Sequence, residues 1–77
     1  MTELDFEFQT VCHRTAQAEK RLARQQELVT MLAAKGQPTG DIEASLTATN
    51  AALLSLRTQR SDMARKMRVR ARKSQFR

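Results

Sequence analysis

Apolar residues recur along this chain at intervals that alternate between three and four. The first series runs Leu4, Phe8, Val11, Thr15, Ala18, Leu22, Gln25, Val29 and Leu32. The second runs Ile42, Leu46, Thr49, Leu53, Leu56, Arg60, Met63, Met67 and Arg70. A mean interval of 3.5 keeps one stripe of a helix aimed at a neighbouring helix, so each series predicts a helix with a heptad seam. Between them fall Gly36, Pro38 and Gly40, the only glycines and the only proline. Gly36 suits the left-handed residue just past a helix end, and Lys35 brings a cation to the last carbonyls. Pro38 disfavours helix at Gln37. Thr39 then reads as an N-cap, with Asp41 and Glu43 in the favoured first turn. Thr2, followed by Glu3, Asp5 and Glu7, starts the first helix in the same way.

The expected elements are a helix over about 3–35, a turn over 36–40 and a helix over about 41–72, in one structural unit. So short a connection predicts antiparallel helices, each roughly 45 Å long. Folding at Gln37 pairs the seams at position numbers that sum to 74 or 75. Leu32 then falls opposite Ile42, Val29 opposite Leu46, Leu22 opposite Leu53, Val11 opposite Met63 and Phe8 opposite Met67. Two layers are polar, Gln25 with Thr49 and Thr15 with Arg60; such layers cost stability and fix register. Flanking positions also match: Glu19 with Arg57, Gln26 with Asn50, and Glu7 with Lys66.

Residues 19 to 63 resemble a family on this pattern. Glu19-Lys20-Arg21-Leu22-Ala23-Arg24-Gln25, then Leu28, Leu32, Gly36, Thr39, Leu53 and Met63, are similar to short uncharacterised helical-hairpin proteins of proteobacteria, rhizobia especially. Those share an E-R-R-(I/L)-x-x-Q segment, a leucine pair, a Gly, a Thr cap and an alanine- and leucine-rich second helix. Lys20 stands where the first basic Arg is usual. The resemblance implies the hairpin fold and carries no activity.

Composition narrows the function. The chain has 77 residues, no Trp or Tyr, and three Phe, which argues against a β-sandwich or an aromatic stacking platform. A chain this short struggles to enclose a core without staples or a partner. Its one cysteine, Cys12, has no internal partner and no zinc spacing around it. The acidic start lacks the pattern of a signal peptide, and no apolar run exceeds four residues, so the reading is a cytoplasmic protein without a transmembrane segment. No phosphate-cradling glycine loop, nucleophile elbow or HExxH occurs. Cys12 and His13 are adjacent, so on a helix their side chains diverge by about 100° and share no site. Glu3, Asp5 and Glu7, spaced by two, fan around the axis likewise. Neither an enzyme, a metal site nor a cofactor is expected.

Two leads remain. The formal charge is +6, and from 57 to 77 there are nine basic residues against Asp62 alone. Within this basic C-terminal end, 65–77, the candidate phosphate contacts are Arg65, Lys66, Arg68, Arg70, Arg72 and Lys73, with nucleic acid ahead of an anionic membrane surface as ligand. The competing reading is a solvated helix end, partly neutralised by Glu3, Asp5 and Glu7. Nearer the turn, Leu28, Met31, Ser45, Ala48 and Ala52 fall beside the seam on one side, where another helix can approach. Ser45 has the option of bonding the Asp41 carbonyl. The expectation is an all-α antiparallel hairpin that pairs into a dimeric four-helix arrangement. Its function is interaction or scaffolding, and the alternative is sequence-independent nucleic-acid binding.

Overall fold

A computed structural model describes residues 2–75. It is all-α, with α1 at Glu3–Ala34 and α2 at Gly40–Gln75 packed against each other as a helical hairpin. The molecule measures 65 × 17 × 15 Å, a rod one helix pair thick.

Local chemistry sets both ends of α1. Thr2 is an extended N-cap whose hydroxyl accepts the Asp5 N–H at 3.2 Å, while the Asp5 carboxylate takes the Thr2 N–H at 3.1 Å. This reciprocal capping box satisfies donors that the first helical turn leaves free. At the other end Gly36 adopts φ +70°, the left-handed conformation glycine tolerates best. Its N–H donates to the Ala33 carbonyl at 3.0 Å, and the Gln37 N–H reaches back to Leu32 at 2.9 Å. These two bonds form a Schellman motif, which occupies the last carbonyls of α1. The Glu43 N–H then bonds the Thr39 carbonyl at 2.9 Å, the first turn of α2. The second helix continues three residues past the expected 72, and positions 76 and 77 of the basic end lie outside the described residues.

Burial follows the heptad series closely. All nine positions of the first series are buried or half-buried, and eight of the nine in the second. Among the described residues only Thr15 and Leu53 are fully buried, and Val11 beside them is nearly so. Thr15 is completely enclosed, and its hydroxyl donates to the Val11 carbonyl at 2.7 Å. A buried hydroxyl is therefore satisfied within its own helix, without help from Arg60 opposite.

Two expectations need correction, for Arg70 and for Ser45. Arg70 is exposed: opposite it α1 is just beginning, and a long guanidinium stem carries its charge out to water. Gln25 and Thr49 are both half-buried at their seam positions, each with its own hydrogen-bond partner. Thr49 gives its hydroxyl to the Ser45 carbonyl at 3.0 Å, and the Gln25 Nε2 donates to Ser45 Oγ at 3.0 Å. That contact replaces the Ser45–Asp41 bond, since the Ser45 hydroxyl faces α1. Gln25 Oε1 is left buried without a partner. On the flanks, Arg57 and Glu19 do pair, at 3.8 Å with both side chains about half exposed.

Candidate interaction surfaces

The turn-proximal side comes first, because the seam beneath it is thinly covered. Val29, Leu32, Ile42 and Leu46 are only half-buried there. Beside them Leu28 is 42% and Met31 55% exposed, and Ser45, Ala48 and Ala52 are exposed as well. Heptad register places these five on one side of the hairpin: Leu28 flanks the seam of α1, and Ser45, Ala48 and Ala52 line the matching edge of α2. The Gln25–Ser45 hydrogen bond crosses between the helices at this level. Of the other exposed large apolar residues, Phe6 and Leu54 occupy different heptad positions, while Val69 shares the register position of Met31 and Ala48 but lies three heptads away, among the cations of the open end.

The basic end is built otherwise. Arg65, Lys66, Arg68, Arg70, Arg72 and Lys73 are all exposed on the last turns of α2. Their spacing distributes them around the helix axis, so they form a sleeve of positive charge and not one recognition face. Arg65 is paired with Asp62 one turn earlier. Arg70 lines a shallow groove at the open end with Thr2, Leu4, Asp5, Met67 and Ala71. In that groove the Asp5 carboxyl is held below its ordinary value of 3.8, first by the Thr2 hydroxyl at 2.8 Å and then by the Thr2 N–H. The Arg70 charge adds in the same direction. The expected pairing of Lys66 with Glu7 is not among the ion pairs of the described residues.

A third surface escaped the sequence reading. His13, Gln17, Lys20, Arg21 and Arg24 line one shallow concavity on α1. Counted along the chain, Glu19 and Glu27 offset two of these three cations, which hides the face. Around the helix, Glu19 turns away to meet Arg57. The spacing i, i+3, i+4, i+7 from Gln17 to Arg24 was the available signal.

Cys12 is half-buried beside the seam and His13 is exposed, on different faces of α1. Among the described residues no three His, Cys, Asp or Glu side chains come together as a metal site. No described helix is long and apolar enough to cross a membrane. Compared with family models, curated proteins and solved structures, the chain finds no match.

Proposed function

We propose that this protein is a non-catalytic interaction module, a helical hairpin that acts as a small scaffold by associating with a second copy of itself. One observation supports the reading above others. The folded chain exposes 6153 Å², whereas a compact monomer of 8.8 kDa exposes about 4,800 Å². The difference, roughly 1,400 Å², exceeds the approximately 800 Å² that each partner contributes to a standard interface. Leu28 and Met31 supply apolar surface for such a contact. Light scattering across a concentration series is the test. Mass should approach twice 8.8 kDa, and the melting temperature should climb with concentration by mass action. Leu28→Glu with Ala48→Glu should return the protein to monomer and lower its helicity. A parent chain that stays monomeric, with a melting point indifferent to concentration, refutes the reading.

A second reading rests on the exposure of the six basic side chains between 65 and 73, five of them outside the Asp62–Arg65 pair. It is weak, sequence-independent binding to nucleic-acid phosphates, driven by counterion release and lost steeply with salt. Fluorescence anisotropy with labelled duplex and single strand, for the parent and for charge reversal at Arg68, Arg72 and Lys73, tests it. Equal binding by both proteins, or none at low salt, rejects it.

A further inference from the structure

The charge of the hairpin is divided by height along the rod. The half next to the turn, residues 19 to 56, carries four acidic and four basic residues and is formally neutral. The open half, residues 1 to 18 and 57 to 77, carries ten basic against four acidic residues and holds the whole +6. The apolar side formed by Leu28, Met31, Ala48 and Ala52 lies entirely on the neutral half.

We infer that the second copy docks on this side antiparallel to the first, so that the two turn-proximal halves overlap and the two basic ends point to opposite poles. This rests on the self-association proposed above and adds its orientation. Two orientations let identical faces meet. A parallel pair lays one +6 half directly along the other, within the Debye length of about 8 Å at physiological salt. An antiparallel pair brings together the halves whose charges sum to zero, the Lys20, Arg21 and Arg24 face of α1 included, and moves the +6 halves tens of ångströms apart. Both orientations bury the same apolar residues, so burial does not discriminate and electrostatics decides. Exposed Ala48 and Ala52 have short side chains that allow the helices to approach closely near the two-fold axis, with the larger Leu28 and Met31 beside them.

The test is a distance between two copies of one label. A spin label at Ser61→Cys, in a Cys12→Ala background, sits at an exposed position on the flank away from the docking side. Ser61 lies thirteen residues along α2 from Ala48. An axis near Ala48 therefore separates the two labels by roughly 40 Å at 1.5 Å per residue. The parallel arrangement keeps them within about 25 Å, the width of four packed helices. Pulsed dipolar spectroscopy is run beside light scattering of the same labelled, full-length chain. Dimer mass with a distance near 40 Å is the expected result. Dimer mass with only short distances overturns the antiparallel orientation and leaves self-association standing. Monomer mass with no interspin distance overturns both.

Discussion

The two halves of the rod share one seam and the same pair of helices, yet their outer surfaces differ. The turn-proximal half is neutral and displays Leu28 and Met31 beside short side chains. The open half is strongly basic, and its contact residues include the fully buried Thr15 and the half-buried Arg60. A two-helix seam needs only one stripe per helix, which leaves most of each circumference free. The comparison teaches that the fold uses only the stripe: the stripe builds the hairpin, and the flanks stay exposed, with apolar and short side chains near the turn and cations at the open end.

The largest effect that can break this picture is loss of the seam itself. Leu53 is 1% exposed, so Leu53→Ala should cost roughly 2–5 kcal/mol in thermal or urea unfolding. Leu46, half-buried in the turn-proximal half, sharpens the comparison. Leu46→Ala should cost clearly less than Leu53→Ala in dilute protein, and the gap should narrow at concentrations where a second copy covers that side.

Next in size is the cap of the open half. Thr2→Ala removes the acceptor of the Asp5 N–H and should cost about 1 kcal/mol, read as helicity and melting temperature. The same contact carries a pH dependence. Asp5 titrates lower in the folded chain than its ordinary 3.8, so its contribution is complete above that value. It is lost as the pH falls through the lower folded value. Acidification below about pH 4 should therefore weaken the parent, and this part of the loss should be absent from Thr2→Ala.

The polar layer of the turn-proximal half should respond in the opposite direction. Gln25 Oε1 is buried and unpartnered, so Gln25→Leu with Ser45→Ala should gain about 1 kcal/mol in unfolding free energy. The same change should broaden the range of oligomers seen by light scattering if this layer fixes register. Smallest of all, Glu19→Ala should shift stability by under about 0.5 kcal/mol, because its partner Arg57 is equally exposed to water.

Much of the fold was legible because burial and heptad spacing are two expressions of one geometry. The turn was legible too: Gly36 and Pro38 are chemically distinctive, and the Schellman bonds form where that chemistry points. What failed involved choices among partners. Spacing alone does not reveal that Thr49 satisfies its own helix, leaving Gln25 to find Ser45, or that Arg70 reaches water once the opposing helix runs out. The basic face of α1 stayed hidden because charge was weighed along the chain, whereas surfaces are arranged around a helix. The side chains of the proposed docking side and of the basic end are exposed, and the roles given to them are proposals.

The turn has one more consequence, for which chain supplies which helix. Every seam contact of the hairpin can in principle form between α1 of one molecule and α2 of another, if residues 35–39 straighten and the arms exchange. Gly36, at φ +70°, holds the reversal at little strain, and any other residue there weakens it. Pro38 opposes the straightened form, since a proline inside a continuous helix costs about 3 kcal/mol. Gly36→Ala with Pro38→Ala should therefore release arm exchange, giving an interlocked pair that separates only through unfolding. Two residues in a five-residue connection thus keep each molecule whole, and the proposed reversible encounter of complete hairpins would depend on them.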